Sequence, residues 1–248
     1  MSTFRVMTET AKAMTGGALL SPAGHYSETI VSLMARYRAL ARLCAFPCPD
    51  GYALRLARTP QQLERVNHLV SRMYAWRGYS MLSSEYPSND PNRMTLALWR
   101  GETAVATLTL GCDSPNGLLA DGLYSQEISR LRGQGRLLCE VTRLAVHSEV
   151  SSTPLLGTLF LAAFVFGREY YQASDVVIEV NPRHVNFYKQ RFGFRQVGTL
   201  RYCPRVNAPA VLLHQTEALL SVFAPRFDAM LEGREVWRDE PAELAAAG

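Results

Sequence analysis

The sequence predicts an α/β (α+β) domain in which helices flank a central, mixed and twisted β-sheet. Segments with strand-like and helix-like patterns alternate along the chain, but closely spaced strand pairs, which indicate hairpins, interrupt this alternation. A doubly wound parallel sheet lacks such hairpins. The 248 residues are 48% apolar and only 19% charged, which supports a packed core and excludes a wholly disordered chain.

The first half of the predicted domain contains a strand, a helix, a loop and a hairpin. Residues 52–58 have a strand pattern, and Pro60 opens a helix whose apolar stripe ends near Gly78. Residues 83–92 are rich in Pro, Asn and Asp and predict a loop. The following elements are strands 94–99 and 103–110, joined by Arg100-Gly101-Glu102, and a short helix over 121–132.

The second half of the predicted domain again alternates strands with helices. Its elements are strand 138–146, helix 154–171, strand 176–180, helix 183–192, strands 197–202 and 210–214, and a final helix that includes 219–231. The helix over 154–171 is almost entirely apolar, so we expect it to be buried on several sides.

The chain divides into an N-terminal extension (1–50), the predicted domain (51–238) and a flexible tail (239–248). Apolar residues recur at helical spacing over 26–44. This amphipathic stripe fits a helix packed on the core, a lid over an apolar ligand, or a surface for peripheral contact with a membrane or partner.

The composition limits the cellular setting. No apolar run reaches the ~18 residues of a membrane span, and no secretion signal is apparent. Of the five cysteines only Cys44 and Cys48 are close together, and they do not form a CxxC pair. We therefore expect a cytoplasmic protein with reduced thiols and no metal site.

Arginine dominates the basic residues of the chain. The net charge is +4, and two of the 26 basic residues are lysines while the other 24 are arginines. This bias fits either a solvated surface or the binding of an acidic partner such as a phosphate, a carboxylate or an acidic protein. No recognition motif indicates nucleic acid.

Two charged residues in an apolar strand form the first candidate site. Glu140 and Arg143 lie in strand 138–146, where an unpartnered charge is costly to bury. In a regular strand they point to opposite faces, whereas a bulge would bring both toward one cleft. They are either a structural ion pair or a general base with an anion-binding residue.

The second candidate site is a junction between a strand and a helix. The strand ends at Asn181, and the helix that follows at once offers free backbone N–H groups and a positive dipole end. The segment from Asn181 to Tyr188, followed by Phe192-Gly193-Phe194, resembles the late helix of the GNAT acyltransferases. This resemblance implies the GNAT-like fold, and the predicted order of elements agrees with it.

A narrower resemblance covers residues 52–215. Glu140-Val141-Thr142-Arg143-Leu144-Ala145-Val146 resembles a strand of the acyl-homoserine-lactone synthases and of the related N-acyl amino acid synthases. Segments 107–110, 117–121 and 181–184 are similar to the N-acyl amino acid synthases specifically. This resemblance implies transfer of a long-chain fatty acyl group from acyl carrier protein to the α-amine of an amino acid.

The implied donor is a thioester on the phosphopantetheine of acyl carrier protein, with acyl-CoA as a second possibility and no resident cofactor. Residues 148–157 lack the glycine-rich loop with which ordinary GNAT enzymes hold the CoA pyrophosphate. Two other functions remain open. One is acetyl-CoA-dependent acetylation of a small amine, and the other is non-catalytic binding of an acyl ligand.

The resemblance also implies catalytic roles. Glu140 is the general base that deprotonates the acceptor amine. Arg143 orients Glu140 or binds the acceptor's carboxylate, for which Arg72 is the second candidate. Tyr188 protonates the leaving thiolate, or only packs its ring. His147 either assists proton transfer or is an exposed residue at the strand end.

The remaining candidates concern substrate binding. Backbone N–H groups of a splayed strand near Leu144, Ala145 and Val146 hold the oxyanion. Asn181 and Arg183 lie at the strand–helix junction, and Arg183, Arg191 and Arg195 are candidates for docking acyl carrier protein. The acyl chain lies in an apolar slot formed by Leu155, Leu159, Phe160 and Phe164, unless these side chains are ordinary core.

Overall fold

The structure is a computed structural model that describes residues 46, 48–80, 90, 92–150 and 152–216. The predicted helices over 26–44 and 219–231, most of the loop over 83–92 and the tail over 239–248 lie outside these residues.

A mixed β-sheet forms the centre of the described part of the chain. Its eight strands are β1 (Ala53–Leu56), β2 (Arg93–Arg100), β3 (Thr103–Cys112), β4 (Leu138–Val146), β5 (Asp175–Val180), β6 (Arg195–Gln196), β7 (Arg201–Cys203) and β8 (Ala208–Thr216). The strand order is β1-β2-β3-β4-β5-β8-β6, with β7 paired to β8. Only β4 and β5 pair in parallel, which confirms the predicted mixed sheet.

Four α-helices accompany the sheet within the described residues. They are α1 (Pro60–Trp76), α2 (Asp121–Gly133), α3 (Ser152–Val165) and α4 (Val185–Phe192). A capping box of Thr59 and Gln62, with Pro60 in the first turn, starts α1 as the sequence predicts. Gly193, at a φ of 68°, ends α4.

The helices cover both faces of the sheet. On the first face, which we call the α1/α2 face, α1 packs on Ala97, Trp99 and Ala145, and α2 packs on Leu138 and Val177. On the α3/α4 face, helices α3 and α4 join the largest apolar cluster. This burial explains why α3 is apolar on nearly all sides.

Two predicted elements differ from the structure. The helix over 154–171 is α-helical only to Val165 and continues as a π-helical turn, Phe166–Tyr170. The prediction of one strand over 197–202 is wrong, because β6 and β7 are separate strands. Gly198 lies against the ring of Tyr124, where a Cβ atom would come within 2.6 Å, and this close approach lies in the segment between β6 and β7.

No helix in the described part of the chain is long and apolar enough to cross a membrane.

Candidate active site

A cleft opens between β4 and β5 near the middle of the sheet. The two strands pair from Leu138 with Asp175 to Val141 with Ile178, and there their pairing stops. Strand β5 continues to pair with β8 as far as Val180. Residues 142–146 therefore border a gap in the sheet, and the backbone there includes the predicted oxyanion donors Leu144, Ala145 and Val146.

A β-bulge lies in β4 beside this cleft. Thr107 pairs with Ala145 and Thr109 with Thr142, so that two residues of β4 oppose one residue of β3. Arg143 is in the bulge and has a φ of 55°, which is strained for a residue with a side chain. Of the regular strand and the bulged strand that the sequence leaves open, the structure therefore has the bulged one.

The bulge places Arg143 on the same face of the sheet as Glu140. The Arg143 guanidinium donates to the Asn67 side chain of α1 through Nη2. Because α1 and the turn before α2 contact these two side chains, both lie on the α1/α2 face.

Glu140 is almost fully buried, with 2% of its surface exposed. Its Oε1 accepts hydrogen bonds from Arg93 Nη1 (2.9 Å) and from the backbone N–H of Leu119 (2.9 Å), and Oε2 accepts one from the N–H of Ala120 (3.2 Å). Burial raises the pKa of the Glu140 carboxyl, although the Leu119 amide and the Arg93 charge oppose this. Oε2 retains an acceptor position for a proton.

The turn that holds Glu140 is itself held by ion pairs. Arg132 donates to Asp113 and to Asp121 at 2.6 Å each, and Asp121 Oδ2 accepts the Leu118 N–H at 2.7 Å. Burial raises the pKa of Asp121, but the bonds from Arg132 and from the Leu118 amide outweigh it and lower the pKa overall. These bonds therefore fix the turn whose backbone amides donate to Glu140.

An apolar cavity of about 60 Å³ lies on the α3/α4 face, beneath the paired part of β4 and β5. Its walls include Val141 and Ile178, the last paired residues before the cleft. Of the predicted acyl slot, Phe160 and Phe164 line the cavity, whereas Leu155 and Leu159 are buried in the surrounding core.

Tyr188 of α4 also lines the cavity. Its ring packs edge-on against Phe160, with centroids 6.3 Å apart, and against Phe194 at 5.8 Å. Burial raises the pKa of Tyr188 well above its usual value, so the hydroxyl is protonated at neutral pH.

The other predicted substrate-binding side chains form hydrogen bonds with neighbouring groups of the protein. Arg72 Nη2 donates to His147 Nε2 at 2.8 Å and so links α1 to the end of β4. The Asn181 side chain accepts the backbone N–H of Arg183 (3.2 Å) and caps the 3₁₀ turn Pro182–His184. Arg183 itself donates to Tyr79 Oη at 2.8 Å.

The sequence analysis missed two groups near the cleft. Glu179, near the end of β5, pairs with Arg205 Nη2 at 2.6 Å. Glu179 is a single acidic residue among the β-branched residues of β5. The same kind of signal, a charge in an apolar strand, identified Glu140 and could have identified Glu179. Arg77 follows α1 and is half-buried, but its sequence position carries no comparable signal.

The cleft therefore has an apolar cavity on one face and a buried carboxylate on the other. This arrangement suits an acyl group that binds on the α3/α4 face and a polar acceptor that approaches from the α1/α2 face. No group of three His, Cys, Asp or Glu side chains in the described residues is arranged to hold a metal ion.

Comparisons with known proteins agree with this geometry. A family model for the N-acyl amino acid synthase FeeM matches residues 65–216. The structure of FeeM, an N-acyl amino acid synthase from uncultured soil microbes, is similar with a TM-score of 0.62 and 26% identity, over 67% of this chain and 90% of that one.

A second solved structure, Escherichia coli ElaA, has a TM-score of 0.50 and 12% identity, over 66% of this chain and 98% of that one, and shows a shared fold only. A search of curated proteins finds no match. The family match spans more than half of the 248 residues, so the chain belongs to the FeeM family of N-acyl amino acid synthases and is an N-acyltransferase with a GNAT-like fold.

Proposed function

We propose that the protein transfers a long-chain fatty acyl group from an acyl carrier protein thioester to the α-amine of an amino acid. The observation that carries this proposal is the cleft between β4 and β5, which has an apolar cavity on one face and Glu140 on the other. The product is an N-acyl amino acid.

The cavity on the α3/α4 face supports a fatty acyl substrate. Each methylene buried there contributes about 0.8 kcal/mol to binding. Its volume of about 60 Å³ is less than half of the ~150 Å³ that admits benzene in an engineered apolar cavity. A long chain therefore binds only when lining side chains move, and the π-helical turn that contributes Gly167 and Arg168 is the place we assign to this movement.

The proposed reaction proceeds through a tetrahedral intermediate. Glu140 Oε2 accepts a proton from the ammonium group, directly or through one water, and the free amine attacks the thioester carbonyl. Backbone N–H groups of 144–146 stabilise the resulting oxyanion. The C–S bond then breaks as the amide C–N bond is completed, Tyr188 donates its proton to the departing thiolate, and the amine's second proton passes to solvent.

The charge around α4 supports acyl carrier protein as the donor. Residues 183–195 contain four basic side chains (Arg183, Lys189, Arg191 and Arg195) and no acidic one, and we call this stretch the basic α4 segment. Acyl carrier proteins are acidic, so this segment offers them a complementary surface. The absence of a glycine-rich loop over 148–157 argues in the same direction, because it removes a pyrophosphate site.

The donor is tested by comparing one long acyl chain on acyl carrier protein and on CoA, with the same amino-acid acceptor. We expect kcat/KM to be at least ten times higher with acyl carrier protein and to fall as salt increases. The double variant Lys189→Glu, Arg195→Glu should raise KM for the carrier-bound donor only. The double variant Arg58→Glu, Arg100→Glu, at two exposed positions outside the basic α4 segment, is the charge-matched control. Equal or better use of acyl-CoA would contradict a carrier-protein donor.

The base is tested with Glu140→Gln. We expect kcat to fall by about 10²–10⁴-fold, the range of general acid–base catalysis. Because the new amide also faces backbone N–H groups, Asp121→Asn serves as a control that loosens the same turn without touching Glu140. If both variants lose activity in proportion to their loss of stability, Glu140 is only an anchor for the turn.

A further inference from the structure

Two arginines form a cationic cluster at the end of α1 and at the turn that follows β5. Arg77 is the C-cap residue of α1, and Arg183 lies in the 3₁₀ turn Pro182–His184. Tyr79 follows Arg77 by two residues. Arg183 Nη2 donates to the Tyr79 hydroxyl at 2.8 Å and the Arg183 guanidinium lies 5.1 Å from the Tyr79 ring centroid, while the Arg77 guanidinium lies 5.2 Å from the Trp76 ring centroid. The Tyr79 ring in turn packs edge-on against Tyr74 at 5.8 Å. We call Arg77, Arg183, Tyr79 and Tyr74 the Arg77–Arg183 cluster.

This cluster has positive charge without an acidic partner among the described residues. Arg77 Nη1 lies 3.4 Å from the Met73 carbonyl, and Arg183 Nε donates to His184 Nε2 at 3.3 Å. Neither guanidinium forms an ion pair with a described carboxylate. Burial is the main cause that lowers the pKa of Arg77, and the charge of Arg183 adds to it.

His184 adds no charge to the cluster. Burial and the charges of Arg183 and Arg77 lower the pKa of His184 to about 4, so its ring is neutral at pH 7 and accepts the bond from Arg183. The neutral imidazole and the Tyr79 hydroxyl orient the Arg183 guanidinium without neutralising it. The positive charge of the two guanidinium groups is therefore not balanced by any described side chain, and an anionic ligand would balance it.

The location of the cluster identifies which anion it receives. Arg183 lies in the turn that joins β5, which borders the cleft, to α4, which carries Tyr188 of the acyl cavity. The backbone N–H of Ser80 bonds to the Val206 carbonyl at 3.1 Å, which connects this region to the turn between β7 and β8. Arg183 and Tyr79 therefore lie where β5 leads away from the cleft into α4. The two arginines first considered for a carboxylate, Arg72 and Arg143, also donate to side chains without an acid, His147 and Asn67, but they lie on α1 and β4, whereas Arg183 lies on the turn that leads from β5 into α4.

We propose that Arg77 and Arg183 bind the α-carboxylate of the acceptor amino acid, with Tyr79 and His184 orienting Arg183. This proposal rests on the proposed function, because it assigns the acceptor's carboxylate to a site beside its reacting amine. A guanidinium fork matches a planar carboxylate, and two forks distinguish an amino acid from a simple amine. Two guanidinium groups would also fit the phosphate of the phosphopantetheine arm. The test below distinguishes this phosphate from the acceptor's carboxylate.

The test measures binding independently of turnover. Titration calorimetry compares N-dodecanoyl-glycine with N-dodecanoyl-glycinamide, which differ only in the carboxylate. We expect the wild-type protein to bind the carboxylate at least ten times more tightly, and Arg77→Gln and Arg183→Gln to bind both compounds equally. Arg183 is exposed, so its variant should fold even if the Arg77 variant does not. Arg65→Gln, on α1 and paired with Glu102, is the matched control.

Kinetics then separate the two anions. If the acceptor's carboxylate binds here, Arg77→Gln, which lies outside the basic α4 segment, raises KM for the amino acid at least tenfold and leaves KM for the acyl donor unchanged. A rise in the donor KM alone would overturn the proposal in favour of the phosphate. Equal binding of the two probes by the wild-type protein, or binding of neither, would also overturn it. A carboxylate preference without any acyl transfer would refute the proposed function and leave the anion site in place.

Discussion

At the level of single residues, the two charged side chains of β4 have contrasting environments. Glu140 is buried but accepts hydrogen bonds from the Arg93 side chain and from the consecutive backbone amides of Leu119 and Ala120. Arg143 donates to Asn67 and has a left-handed backbone. Strain of this kind is retained where the surrounding structure over-determines it, often at functional sites. Here it bends β4 at the edge of the cleft.

The strain at Arg143 is measurable with two substitutions that both remove the guanidinium. Glycine adopts a φ of 55° freely, whereas alanine does not. After allowing for the greater chain entropy of glycine in the unfolded state, we expect Arg143→Gly to be about 0.5–1 kcal/mol more stable than Arg143→Ala. Urea denaturation of the two variants gives this difference directly. A more stable alanine variant would show that the bulge is not strained.

The role of the Tyr188 hydroxyl is separable from that of its ring. No described residue forms a hydrogen bond with this hydroxyl, and the ring makes the aromatic contacts. We therefore expect Tyr188→Phe to unfold at nearly the wild-type temperature while kcat falls by at least ~10²-fold. Thermal unfolding and steady-state rates provide the comparison. Unchanged kcat would mean that Tyr188 serves packing only.

Some of these residues are predictable from the sequence and others are not, for a physical reason. A lone acid or base in an apolar strand is conspicuous, so Glu140 and Arg143 are predictable as a candidate site. Their partners are not, because Arg93 lies 47 residues before Glu140 and the other donors are backbone amides without a sequence signature. Arg77 is not predictable as a site residue, because arginine is common at the ends of helices.

At the level of elements, the site depends on two departures from regular structure in one strand. The bulge at Arg143 and the end of β4–β5 pairing after Val141 together free the strand from its neighbour. Periodicity predicts strand β4 itself, since that signal is local. It does not predict where pairing with β5 ends, because register depends on contacts between distant segments.

The acyl cavity beneath α3 provides a test at this level. Ala163 lines the cavity, whereas Ala162 lies in the adjoining core. We expect Ala163→Leu to change stability by less than about 1.5 kcal/mol and to shift the preferred acyl chain to shorter lengths, weakening binding about fourfold for each methylene excluded. Rates with donors of increasing chain length measure the shift.

The neighbouring alanine supplies the control. Ala162→Leu overpacks the core and should cost about 1–3 kcal/mol of stability without changing chain-length preference. If Ala163→Leu leaves the preference unchanged, the acyl chain binds elsewhere.

At the scale of the whole molecule, the half-buried imidazole of His184 links stability to pH. The pKa of His184 is about 4 in the folded protein and about 6.5 when exposed, so the folded state binds fewer protons between these values. Its contribution to stability is complete above pH 6.5 and is lost as pH falls toward 4, with a slope of at most about 1.4 kcal/mol per pH unit.

The corresponding prediction uses His184→Gln, which retains an acceptor for Arg183 but does not titrate. Between pH 6.5 and pH 5, we expect the wild-type protein to lose stability more steeply than the variant. Urea denaturation at intermediate pH values measures both slopes. Parallel slopes would place the His184 pKa near its ordinary value and would weaken the view that the Arg77–Arg183 cluster repels added charge.

The overall architecture is more predictable than the site. Alternating patterns with hairpins predict the mixed sheet, and the order of its main elements is confirmed. The separate strands β6 and β7 are not predictable, because the close approach of Gly198 to Tyr124 joins segments more than seventy residues apart. The cationic cluster is likewise created by tertiary contact between the end of α1 and the turn after β5.

One mass-spectrometric experiment tests directly whether the protein transfers an acyl group from acyl carrier protein to an amino acid. The purified protein is incubated with hexadecanoyl acyl carrier protein and all twenty amino acids, and both the carrier protein and the small molecules are weighed. We predict that the carrier loses its acyl mass as an equal amount of one N-hexadecanoyl amino acid appears. A carrier that keeps its acyl group, or releases only free fatty acid, would contradict the account.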